Sequence, residues 1–169
     1  MTRHRYAVTV DWTGARGVGT RSYTSYGRDH VITVADKPTI DGSSDAAFRG
    51  DASRHNPEDL LVASLSACHM LWYLHVCSQQ GLIVTGYRDD ASGTLEVRPD
   101  GAGAFTNVTL RPQVELDACH DEVDAAKAHE LHQLAHRHCF IANSVRFEVA
   151  IEPTVRCARI SGWRTPADS

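Results

Sequence analysis

The stretch Asn56-Pro-Glu-Asp-Leu-Leu-Val-Ala-Ser-Leu-Ser-Ala-Cys68-His69 decides the fold of this chain. It begins as helices typically begin, with an Asn cap, a proline at the first helical position and two carboxylates in the first turn. The apolar run continues as far as Gln79-Gln80-Gly81, where the glycine favours a stop. Because apolar residues lie on nearly every side, the pattern predicts a buried central helix over residues 57–80.

Regular patterns on both sides of this helix predict the remaining elements. Alternation of apolar and polar residues predicts strands, which lie at residues 6–12, 20–26, 30–35, 82–97, 104–116 and 144–151. Residues 98–103 form the turn of a hairpin, residues 39–55 an irregular loop and residues 121–138 a second helix. This order predicts an α+β fold with mostly antiparallel sheet. We expect one domain over residues 1–153 and a C-terminal tail over 154–169.

Composition and charge exclude several classes of protein. With 169 residues, 42% hydrophobic and 22% charged, the chain is globular rather than fibrous or disordered. Its net charge is −4 and its 17 basic residues are scattered, which argues against a nucleic-acid groove or an anionic membrane surface. The longest apolar stretch is interrupted by serines and histidines, so no membrane-spanning helix is expected. The first residues hold no apolar signal-peptide core, and we therefore expect a cytoplasmic protein.

The central helix also bears on assembly. A helix that is apolar on all sides needs cover on all sides, and a chain of 169 residues can barely supply it. The pattern therefore predicts a homodimer in which both subunits bury the helix.

Two of the five cysteines lie at distinctive places in these elements. Cys68 is midway along the central helix and Cys139 directly follows the second helix. Neither belongs to a CxxC pair, which argues against a secreted disulfide framework. On the residues alone, each cysteine fits a buried core filler, with a metal ligand or a reactive thiol as the alternatives.

Three motifs resemble those of the OsmC/Ohr family, the osmotically inducible and organic hydroperoxide resistance proteins. The first is the Asn-Pro-Glu opening with Ala-Cys ten residues after Glu58, which places the family's reactive cysteine at Cys68. The second is Ala135-His-Arg-His-Cys139, and the third is Gly27-Arg28-Asp29. The chain departs from the family in reading Cys139-Phe-Ile-Ala-Asn rather than Cys-Pro-x-Ser. Arg49 is a rival for the role of Arg28.

The resemblance implies an OsmC-like fold, an intertwined dimer and a thiol-dependent peroxidase. In this interpretation Cys68 attacks an organic hydroperoxide and Cys139 resolves the product to a disulfide, which a dithiol such as a lipoyl group reduces. Arg28 or Arg49, held by Glu58, would stabilise the Cys68 thiolate. Apolar walls are expected from Leu61, Leu65, Leu71 and Trp72.

The histidines offer a competing interpretation. His129, His132 and His136 recur on one face of the second helix, at a spacing that allows a zinc or nickel site. A solvated stripe is the alternative, favoured because no carboxylate or second cysteine lies at ligand spacing. No metal or other cofactor is expected. The second candidate function is a non-catalytic module of the same fold that binds a metal or a small molecule.

Overall fold

The computed structural model describes residues 2–117 and 122–157, with the side chains of residues 122 and 123 left out. The chain divides into two compact units, Met1–Leu61 and Val62–Ser169. The α+β class is confirmed, and four of the six strand pairs are antiparallel. The prediction of one domain over residues 1–153 stays a prediction.

The first unit holds one antiparallel sheet in the order β1 (Thr9–Trp12), β2 (His30–Thr33) and β3 (Ile40–Gly42). β3 and a short 3-10 helix, Ala46–Phe48, lie in the segment predicted as an irregular loop. The predicted strand over 20–26 is wrong, because these residues form turns. Within the described part of this unit no apolar side chain is buried.

Helix α1 covers Pro57–Gln79, which confirms the predicted central helix. The Asn56 side chain accepts the Asp59 N–H at 2.7 Å, and Gly81 takes the positive φ of 75° that ends the helix. The prediction of burial on all sides is wrong within a single chain. One stripe is buried, formed by Leu65, His69, Tyr73, Val76 and Cys77, whereas Leu71 is 63% exposed.

No membrane-spanning helix is expected from the sequence, yet α1 is long and apolar enough to cross a membrane. Its most apolar 18 residues have a mean hydropathy of 1.5. The core helix of an α+β fold meets the same criterion. The buried stripe of α1 includes a histidine and a tyrosine, and it packs against the elements of the second unit. The apolar composition is therefore that of a core helix with one side covered.

The second unit holds two mixed sheets. One has the order β4 (Val84–Asp89), β7 (Pro112–Leu116) and β9 (Thr154–Cys157); the other has β5 (Ser92–Val97), β6 (Gly103–Leu110) and β8 (Glu148–Ile151). The predicted hairpin is present as β5 and β6. Each long predicted strand is nevertheless broken in two, and its halves join different sheets. β9 occupies the start of the segment predicted as a tail.

Helix α2, Glu122–His138, packs beside α1 and completes the core of this unit. Tyr73 of α1 and Ala128, Leu131 and Ala135 of α2 meet β7 through Val114 and Leu116. The chain leaves α2 at His138, and a second short 3-10 helix follows at Ala142–Ser144. The ring of His138, the last residue of α2, stacks on Trp72 of α1.

Candidate thiol site

Cys68 and Cys139 lie side by side, with their thiols within hydrogen-bonding reach of each other. Cys68 is partly exposed, whereas Cys139 is 1% exposed. Both are free thiols. Two cysteines that are far apart in sequence thus meet within the second unit.

The turn that carries Cys139 is tied by backbone and side-chain hydrogen bonds. The Cys139 N–H donates to the His136 carbonyl at 3.2 Å. The Asn143 side-chain amide donates to the carbonyls of Arg137 and Cys139, both at 3.0 Å. These bonds satisfy backbone carbonyls at the end of α2 and in the turn that carries Cys139.

The electrostatics of the pair favour a neutral Cys139. Burial is the main cause, and with the neighbouring Cys68 it raises the pKa of Cys139 to about 11. The Ala142 N–H, which donates to the sulfur at 3.4 Å, opposes this rise. At neutral pH Cys139 is therefore a buried, protonated thiol. Cys68 is the cysteine of the pair that solvent reaches.

An aromatic cluster surrounds Trp72, one helical turn after Cys68. The Trp72 ring stacks on His138 at 5.0 Å between centroids and meets the edge of Phe140 at 5.4 Å and of His75 at 5.6 Å. A shallow cavity of about 230 Å³ opens here, lined by Leu71, Trp72 and His75. Of the predicted apolar walls, Leu71 and Trp72 line this cavity, whereas Leu65 is fully buried.

A buried imidazole pair lies between the two helices. His69 Nε2 and His132 Nδ1 share a hydrogen bond of 3.0 Å, and the His132 ring stacks on Tyr73 at 3.8 Å. Burial, together with the charge of nearby histidines, lowers the pKa of His69 to about 4 and that of His132 to about 3. The prediction of a solvated stripe is therefore wrong for His132, although His129 is exposed. No group of three metal ligands forms among the described residues.

The predicted arginines lie in the first unit and share the ring of Tyr23. Arg28 donates to the carbonyls of Tyr26 at 2.7 Å and Tyr23 at 2.9 Å, and its guanidinium lies over both rings. The Arg49 guanidinium lies 6.0 Å from the Tyr23 ring centroid. Within the described residues no ion pair joins Glu58 to either arginine. The predicted support of the arginine by Glu58 is thus not formed in this structure.

The fold and the thiol pair define a class: a small α+β protein in which a central helix and the end of a second helix bring two cysteines together. The family model for OsmC-like proteins matches residues 50–154, and the chain belongs to that family. The resemblance drawn from the three motifs is therefore confirmed. Comparison with curated proteins found no match.

Solved structures agree with this assignment. An OsmC-like protein of unknown function from Vibrio cholerae is 30% identical, with a TM-score of 0.80 over 90% of this chain and 100% of that one. A putative organic hydroperoxide resistance protein from the same species, solved with captopril in one active site, is 23% identical (TM-score 0.64; 92% and 93% covered). An organic hydroperoxide resistance protein from Legionella pneumophila is 17% identical (TM-score 0.66; 92% and 98% covered). The last two share the fold.

Proposed function

We propose that this protein is a thiol-dependent peroxidase that reduces organic hydroperoxides through Cys68 and Cys139. The observation that carries the proposal is the direct contact between these two thiols, one partly exposed and the other buried. Membership of the OsmC-like family and the hydroperoxide resistance proteins among its structural neighbours support it. A cytoplasmic location, where dithiols keep disulfides reduced, belongs to the same proposal.

The reaction follows from the different surroundings of the two thiols. The Cys68 thiolate attacks the terminal oxygen of the hydroperoxide, the O–O bond breaks, and the alkoxide leaves as an alcohol after taking up a proton. Cys68 is then a sulfenic acid. The Cys139 sulfur attacks it, water leaves and a disulfide forms. A dithiol, for example a lipoyl group, returns both cysteines to thiols and is itself oxidised.

Attack by Cys68 requires its thiolate, which a nearby cation would stabilise. Arg28 supplies it in this proposal, and Arg49 is the rival because both guanidiniums lie at the Tyr23 ring. We expect Arg28→Met to shift the alkylation of Cys68 to higher pH and to lower kcat/KM at least tenfold. Arg49→Met tests the rival arginine by the same two measurements. If neither substitution moves the alkylation profile, the arginine-activated thiolate is wrong.

The surface beside the pair favours substrates with a hydrocarbon tail. Leu71 is 63% and Phe140 67% exposed, and the Phe140 ring contacts Trp72, which follows Cys68 by four residues on α1. Because each buried CH₂ contributes about 0.8 kcal/mol, two or three methylenes would raise kcat/KM by roughly one to two decades. Cumene and tert-butyl hydroperoxide should therefore be consumed faster than hydrogen peroxide. Equal rates for the three would remove the apolar surface from the proposal.

The test of the main proposal compares three cysteine variants by peroxide consumption and peptide mapping. Cys68→Ser should abolish consumption, whereas Cys139→Ser should consume about one equivalent and leave Cys68 oxidised without a disulfide. Cys77→Ala is the control, since Cys77 is a free thiol buried in the core. Full consumption by Cys68→Ser would contradict the proposal. Failure of the wild type to consume any hydroperoxide would favour the non-catalytic binding module.

A further inference from the structure

Trp72 contacts both residues that flank Cys139. The ring of Trp72 stacks on His138, which precedes Cys139, and meets the edge of Phe140, which follows it. Cys68 and Trp72 are four residues apart on α1 and so lie on the same helix face. Three successive residues, 138 at the end of α2 and 139 and 140 in the turn after it, are thus each in contact with Cys68 or Trp72.

The two sides of this arrangement differ in rigidity. Trp72 is anchored, because it belongs to a regular helix and packs against the core of the second unit. Residues 139–141 form a turn outside any helix, and Phe140 is 67% exposed. Ring contacts to an anchored tryptophan therefore restrict the turn more than they restrict the helix.

We propose that Trp72 is a positioning residue that clamps His138 and Phe140 and thereby holds the Cys139 thiol against Cys68. The clamp sets how readily the two cysteines form a disulfide. This inference rests on the proposed function, in which the disulfide forms when Cys139 reacts with the sulfenic acid on Cys68. It can nevertheless be tested without any hydroperoxide, because the disulfide also forms by exchange with a small disulfide.

The exchange reaction measures the proximity of the two thiols directly. Cys68 and Cys139 give up two protons and two electrons to oxidised dithiothreitol, which leaves as the dithiol while one protein disulfide forms. The equilibrium constant rises with the effective concentration of one thiol at the other. An aromatic contact typically changes an equilibrium by about two- to tenfold, so losing both contacts should lower this constant by about tenfold or more.

The experiment titrates the full chain with reduced and oxidised dithiothreitol and quantifies the Cys68–Cys139 disulfide by alkylation and peptide mapping. The test variants are Trp72→Leu and the double variant His138→Ala/Phe140→Ala. Since His138 and Phe140 are exposed, the double variant should keep the core intact. His75→Ala is the matched control, because His75 touches the same Trp72 ring from α1 and has no part in the turn.

The clamp predicts that both test variants lose about tenfold in the exchange equilibrium and that His75→Ala keeps the wild-type value. With excess cumene hydroperoxide, the test variants should also accumulate more sulfinic acid on Cys68, since slower resolution leaves the sulfenic acid open to a second oxidation. A wild-type exchange equilibrium in the double variant overturns the clamp. Failure of the wild type to consume hydroperoxide, with the tenfold loss still present, would overturn the proposed function and leave the clamp standing.

Discussion

At the residue scale, the buried pair His69 and His132 makes stability depend on pH. Both imidazoles are neutral in the folded protein, where burial holds their pKa values at about 4 and about 3. Tyr73 on α1 and His129 and His136 on α2 surround the pair, and none offers a negative charge at neutral pH. A proton taken up inside this cluster would therefore meet no compensating charge.

The sign of the effect follows from where each state binds protons. Unfolded histidines titrate near pH 6.5 and the folded pair well below it, so the unfolded state binds more protons between these values. The free energy of unfolding should therefore fall by about 1–3 kcal/mol from pH 6.5 to 5. In the variant His69→Leu/His132→Phe this fall should largely disappear, as measured by urea denaturation. The variant of the exposed His75, His75→Ala, should keep it, and an unchanged slope in the double variant would refute the explanation.

At the scale of elements, Tyr73 joins α1 to α2. Its side chain is fully buried, and its hydroxyl donates to the Ala128 carbonyl at 3.1 Å. Tyr73→Phe should cost about 1 kcal/mol of unfolding free energy through the lost hydrogen bond, and Tyr73→Ala about 3–5 kcal/mol through the cavity. Guanidinium denaturation measures both.

Tyr87 provides the matched control for the hydroxyl. The Tyr87 Oη is buried and has no hydrogen-bond partner among the described residues, although its ring also lies near Tyr73. Tyr87→Phe should therefore leave stability unchanged or raise it, because it removes an unsatisfied polar atom. Equal losses in Tyr73→Phe and Tyr87→Phe would show that the bond to Ala128 contributes nothing specific.

Elements with local signals were predictable, and those fixed by distant partners were not. The Asn56 cap and Gly81 stop define α1 within the chain itself, and the turn at Gly101 defines the β5–β6 hairpin. The false strand over 20–26 alternates correctly, but Gly19 has a positive φ and the Ser25 hydroxyl bonds back to its carbonyl. β9 pairs with β7 across a long stretch of sequence, which no local pattern encodes.

The candidate site was likewise predictable only in part, because some of its contacts depend on how distant elements pack. Family motifs singled out Cys68 and Cys139, whereas spacing alone left both as core fillers. The i, i+4 relation of Cys68 and Trp72 was visible in the sequence, but the stack on His138 depends on how α2 packs. The pairing of His69 with His132 also required the packed helices, since 63 residues separate them.

At the scale of the whole molecule, exposed apolar surface requires a partner. The described part of Met1–Leu61 buries no apolar side chain, and Val10 of β1 is 59% exposed. In the second unit, Leu71 on α1 is 63% exposed. A three-stranded sheet without a covered apolar face is marginal in water, and contiguous apolar patches mark interaction surfaces. We therefore propose a homodimer in which each subunit covers such faces of the other.

The dimer predicts a mass of two chains by light scattering at micromolar concentration. Val10→Lys should weaken association by tenfold or more, because it places a charge on the apolar face of β1. Thr9→Lys is the control on the opposite face of the same strand, where the neighbouring residue on that face is Asp11. Sedimentation velocity of both variants measures the fraction of dimer. Only the lysine on the apolar face should lower this fraction. A folded wild-type monomer at micromolar concentration would contradict the dimer, and equal weakening by both lysines would show that β1 contributes no specific face to it.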